Sequence, residues 1–114
     1  MRQNKYRNKK IVVDGIKYDS KKEYRRSSQL ELLQKCGEIR NLERQVKFSL
    51  LSTFKDNQGN TERGVNYIAD FVYQEGKYKI VEDVKSVITK KDSTYIIKRK
   101  IFKITYPEVI FRES

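Results

Sequence analysis

The sequence predicts an α/β (α+β) domain: a mixed sheet flanked by helices, in the order α-β-β-β-α-β, preceded by an N-terminal β-hairpin. Three observations predict it. Two apolar runs, over residues 65–74 and 77–85, meet near Glu75-Gly76 and read as paired strands. Helical patterns stand on both sides of this pair, so helices pack on a sheet. A short apolar run after Pro107 gives the last helix the place of a crossover between parallel strands.

Each element has its local reason. "KIVVDGIKYDS" carries Asp14-Gly15 between apolar runs, the strongest short hairpin signal. Ser20 then precedes a helical stretch, with Gly37 placed to end it in a left-handed conformation. "RQVKFSLLSTF" alternates through Val46, Phe48 and Leu50, as a half-buried strand does. "KDNQGNTERG" is a polar loop of turn residues. Ser93 is placed to cap a helix whose Ile97, Ile101 and Ile104 recur at i, i+4 and i+7, and Pro107 closes it before "EVIF" at 108–111. Residues 1–10 read as a mobile basic arm, and residues 11–114 as a single domain.

Composition narrows the chemistry. The 114 residues carry 26 Lys+Arg against 15 Asp+Glu, a net charge of +11. Residues 1–26 hold ten basic and three acidic residues, so +7 of that charge lies there. Such a balance favours a polyanionic partner, nucleic acid first. With no His and one Cys, His-based catalysis, intrachain disulfides and cysteine-based zinc sites are excluded. Any catalysis must run on carboxylates and lysines, with or without a hard metal ion bound by oxygen. No secretory segment or membrane-spanning run is evident, so a cytoplasmic protein with no membrane partner is expected.

The candidate site lies in the paired strands. Asp70 sits among Ile68, Ala69, Phe71 and Val72, while Asp83 and Lys85 interrupt Val81, Val84 and Val87. Charges in apolar strands are costly unless paired. A turn centred on Glu75-Gly76, with Gln74 opposite Lys77, puts Asp70, Asp83 and Lys85 on one face, the two acids diagonal neighbours about 7–8 Å apart. Two such carboxylates can converge on one cation, Lys85 or Mg²⁺. A surface ion-pair cluster is the plainer account of the same residues. Acid-x-Lys occurs three times, at Asp19, Glu75 and Asp83, but only Asp83-Lys85 ends an apolar strand. Glu82 points the other way.

"IAD" on one strand and "VEDVKS" on the next resemble the PD-(D/E)XK nuclease signature. Asp70 matches the first acid, Asp83 the second and Lys85 the lysine. "DSKKEYRR", "CGEI", "YIADFVY", "VEDVKS" and "YIIKRKIFKITYPEVIF" are similar to segments of a family of small phage-encoded proteins. That family is described as Holliday-junction-resolvase-like and was long labelled a domain of unknown function. The likeness runs from about residue 9 to the end. Two departures stand out: Ala69 replaces the proline, and Asp83 is one methylene shorter than the commoner Glu.

The resemblance implies a restriction-endonuclease-like core and a Mg²⁺-dependent endodeoxyribonuclease, with Mn²⁺ able to substitute. It implies branched DNA as substrate, in phage recombination or replication in the host cytoplasm. Symmetric cutting of two strands suggests a C2 homodimer. Asp70, Asp83, Glu23 and the backbone carbonyl of Val84 would hold the metal, with Glu23, Asp70, Asp83 and Lys85 catalytic. Glu23 has two readings. Ser20-x-x-Glu23 is a capping box, yet Glu23 also shares the inward stripe of Leu30 and can face the sheet. Lys21, Lys22, Arg25, Arg26, Lys98 and Lys100 are candidate nucleic-acid contacts, although Lys98 also suits a snorkelling surface lysine. The alternative is a non-catalytic nucleic-acid-binding protein on a degenerate nuclease fold.

Overall fold

The computed structural model describes residues 10–114. The basic arm therefore lies, but for Lys10, outside the described residues. The chain opens with a hairpin of β1 (Ile11–Val13) and β2 (Ile16–Tyr18). Asp14 and Gly15 have φ of +51° and +78°, the pair of left-handed residues a tight two-residue turn requires. Helix α1 (Lys21–Lys35) starts at Ser20, whose Oγ accepts the Glu23 N–H at 3.1 Å, and gives way at Cys36 to Gly37 with φ +80°.

The main sheet holds β3 (Arg40–Leu51), β6 (Val65–Glu75), β7 (Tyr78–Asp83) and β8 (Ile110–Glu113), in that spatial order. β3–β6 and β6–β7 are antiparallel, and β7–β8 is parallel, so the sheet is mixed as expected. The polar loop contains a small hairpin, β4 (Phe54–Lys55) with β5 (Thr61–Glu62), whose turn is tied by Asp56 Oδ1 accepting the Gln58 and Asn60 N–H groups. Short helix α2 (Val87–Lys90) was not foreseen. It precedes α3 (Ser93–Thr105), which begins one residue earlier than a Ser93 cap implies because Asp92 is the cap. No helix among the described residues is long and apolar enough to cross a membrane.

Helices cover both faces of the sheet. On one, Tyr95 and Phe102 of α3 pack on Phe48, Tyr67, Ala69, Val72 and Val81. On the other, Leu30 of α1 packs with Ile39, Phe71, Tyr73 and Ile80. The isoleucine stripe that signals α3 is not its buried side: Ile97 and Ile104 are 57% and 82% exposed.

Two details of register shape the site. β6 and β7 turn on Gly76-Lys77, with Glu75 opposite Tyr78 and Gln74 opposite Lys79. The sequence expectation placed Gln74 opposite Lys77, two residues away. The difference is even, so β7 keeps its expected sides, but the ladder ends at the pair Phe71–Glu82, with Asp70 and Asp83 just beyond it. The second detail is a change of sides. Leu42 packs with the α1 cluster but Val46 with the α3 cluster, and Ala69 with the α3 cluster but Phe71 with the α1 cluster. Residues an even number apart in a regular strand share a side. Both β3 and β6 thus switch at one rung, Gln45 with Asp70, between the pairs Arg44–Phe71 and Val46–Ala69. Gln45 absorbs the switch with φ +53°.

Candidate functional site

At the switch in β6 the two carboxylates each take a backbone N–H from the other strand. The Asp70 N–H donates to Asp83 Oδ1 at 3.0 Å, and the Val84 N–H donates to Asp70 Oδ2 at 2.8 Å. What Val84 presents to Asp70 is thus its N–H. Asp83 is fully buried, and its Oδ2 also accepts from the Tyr67 hydroxyl and lies 3.7 Å from Lys85 Nζ. The Lys85 ammonium rests over the Tyr95 ring, 4.9 Å from its centroid.

Helix α1 brings the third acid. Glu23 is 2% exposed and faces the sheet, as its phase with Leu30 predicts. Half of the capping box is present too, because Ser20 Oγ takes the Glu23 N–H. The Glu23 carboxylate reaches one residue further back than the box requires, so that Oε2 accepts the Asp19 N–H at 3.0 Å. Its Oε1 accepts from Arg44 Nη2 and Gln45 Nε2, both at 3.0 Å. Gln45 Nε2 also reaches Asp70 Oδ1 at 3.3 Å and so links the two acids. The two readings of Glu23 are compatible: the backbone caps the helix while the carboxylate serves the site.

Asp19, Glu23 and Asp70 each offer a carboxylate oxygen within 4.8 Å of the other two, a spacing that suits one shared cation. Asp83 is not one of the three. It stands behind them, with both oxygens engaged. Sequence reasoning set Asp19 aside as a residue at a helix start. Asp19 precedes the Ser20 cap, so no helical phase pointed to it. Arg44 and Gln45 were also missed, because only the change of sides in β3 turns Arg44 toward α1.

Charge is unbalanced here. Asp19, Glu23, Asp70 and Asp83 gather four carboxylates, while the cations pairing with them among the described residues are Arg44 and Lys85. Burial, then the Asp83 charge, pushes the Asp70 carboxyl up to about 7, with Glu23 adding to the rise and the Val84 N–H and Lys85 opposing it.

The proposed DNA contacts divide. Lys21, Arg25 and Lys100 are exposed, and Lys98 is half-buried. Lys22 Nζ donates to the Lys85 carbonyl at 3.0 Å and ties α1 to the end of β7. Arg26 is turned inward: Nε and Nη2 bind Glu82 at 2.5 and 3.0 Å. Glu82 does point away from Asp83, into a buried cluster with the Tyr73 and Ser114 hydroxyls. Burial pushes its carboxyl up, but hydrogen bonds from Arg26, Tyr73 and Ser114 outweigh this and leave it below the usual range.

No curated protein and no solved structure matches the chain. Residues 3–113 match the profile of the family described as "Protein of unknown function (DUF1064)", and the chain belongs to that family.

Proposed function

We propose that the chain is a divalent-metal-dependent endonuclease acting on DNA, with Mg²⁺ its ordinary ion and branched DNA its preferred substrate. The observation that carries this reading is the convergence of Asp19, Glu23 and Asp70 on one point, beside the interlocked pair of Asp83 and Lys85. The donor set suits the group: all three are hard oxygen ligands, and four carboxylates against two cations leave room for two positive charges. A divalent ion held by these residues would supply Lewis-acid polarisation of a phosphate and a source of nucleophilic water at neutral pH.

The chain's own residues do the rest. Asp70, Glu23 and Asp19 would hold the ion. Arg44 and Gln45 orient the Glu23 carboxylate. Asp83 fixes Lys85, whose ammonium stands ready to offset charge growing on a phosphate. Lys21, Lys22, Arg25, Lys98 and Lys100 supply phosphate contacts, which makes binding salt-sensitive and largely independent of sequence. Cutting two strands symmetrically calls for a C2 dimer.

A second reading, a nucleic-acid-binding protein without catalysis, is favoured by one observation: Asp83 is wholly buried and both its oxygens are already bonded. Incubating the purified chain with a four-way junction or a linear duplex, with and without Mg²⁺, separates the two. The nuclease reading expects metal-dependent cutting, strongest on the junction. Asp70→Asn and Lys85→Ala should abolish it while binding persists. Equal cutting by the variants overturns the assignment.

A further inference from the structure

Where β6 runs past the end of β7, an open cleft of about 300 Å³ lies between that strand edge and the start of α3, beside Lys85 and outside the carboxylate cluster. Lys85 and Lys98 bring two ammonium groups to its walls, Asn66 and Thr94 bring neutral polar groups, and Ile68 brings an apolar side chain that is 51% exposed. The acid facing it is Asp92, whose Oδ2 accepts the Tyr95 N–H at the start of α3. Lys85 shares its charge with Asp83, whereas Lys98 forms no ion pair among the described residues.

Two lysines and one acid, Asp92, line the cleft, and the surplus of positive charge favours an anion from outside. Ile68 beside them offers an apolar contact that a bare inorganic anion leaves unused. A ligand with a phosphate at one end and a less polar body at the other satisfies both. We propose that this cleft holds one nucleotide unit of a DNA strand, its phosphate between Lys85 and Lys98 and its sugar or base against Ile68. The cleft would then set the path of the strand next to the site. The proposal rests on the nuclease reading for its relation to cutting, but not for the binding itself.

The test is the salt dependence of binding, measured by fluorescence anisotropy on a labelled DNA oligonucleotide in EDTA. Removing one lysine that neutralises a phosphate lowers the slope of log K against log[salt] by about 0.7–0.9. Lys98→Ala should lower it by that amount. Lys35→Ala, at the far end of α1, removes the same charge from outside the cleft and should leave the slope unchanged. Ile68→Ser should weaken binding several-fold with no change in slope. Equal slopes for Lys98→Ala and Lys35→Ala overturn the phosphate subsite, and undiminished binding by Ile68→Ser overturns the nucleotide-sized fit. An RNA of the same sequence that binds more tightly, with the same fall in slope, overturns the assignment to DNA. Wild-type protein that binds but does not cut with Mg²⁺ overturns the nuclease reading alone. Wild-type protein that binds no nucleic acid overturns both.

Discussion

Replacing Asp70 by Asn should stabilise the metal-free protein at neutral pH, although it damages the proposed site. The Asp70 carboxyl is pushed up to about 7 from an ordinary value of 3.8. Between those values the folded chain keeps a proton that the unfolded chain has released. Stability therefore falls as pH rises through that window, by about 1.4 kcal/mol per pH unit from this group alone. From about pH 5 to about pH 7 the loss is about 2 kcal/mol, because the slope fades near the folded value, or about 10 °C in Tm for a domain of this size. Asn carries no charge and still offers an oxygen to the Val84 N–H. Melting curves of wild type and Asp70→Asn in EDTA across this range should diverge, with the variant gaining as pH rises. Added Mn²⁺ at about pH 8 should raise the wild-type Tm and leave the variant's unchanged, because ligand bound only to the folded state adds to its stability. Parallel pH curves for the two proteins would refute the claim that Asp70 is a buried, charge-crowded acid.

Other expectations follow from the same geometry. Asp19 is exposed, so Asp19→Asn should change metal-free stability by no more than about 0.5 kcal/mol, yet reduce the Mn²⁺-linked rise in Tm. Arg26→Ala strands the fully buried Glu82 without its cation and should cost about 3 kcal/mol in urea unfolding. Phe102→Ala removes the fully buried ring that joins α3 to Phe48 and Tyr67, with an expected loss of about 4 kcal/mol by the same measurement.

The sequence showed the elements more plainly than their relations. Asp14-Gly15, Ser20 and Gly37 carry local conformational demands, so the hairpin and the bounds of α1 could be read without tertiary knowledge. The side of Asp83 and Lys85 was also legible, because any even error in the turn preserves it, but that of Asp70 was not, since β6 changes sides there. The rung itself was not, since choosing Gly76-Lys77 over Glu75-Gly76 depends on which residue takes the left-handed backbone. The change of sides at Gln45 left no mark on the apolar pattern, which is why Arg44 was missed. Arg26 looked like a free surface cation until Glu82 proved to be buried beneath it. Glu23 was found through helix phase, but Asp19 precedes the helix, where phase gives no guidance.

The double switch at Gln45 and Asp70 has a consequence for how this site can vary. A side chain on that rung belongs to neither hydrophobic cluster, so it is held by hydrogen bonds and not by the volume of a core. Substitutions elsewhere in β3 or β6 must satisfy the volume of one core or the other. The same seam resists change in length. One residue gained or lost by a single strand would put its rung out of step with its neighbour's and turn half of a core toward water. Selection is thus free to alter the chemistry at the seam while the spacing around it stays fixed.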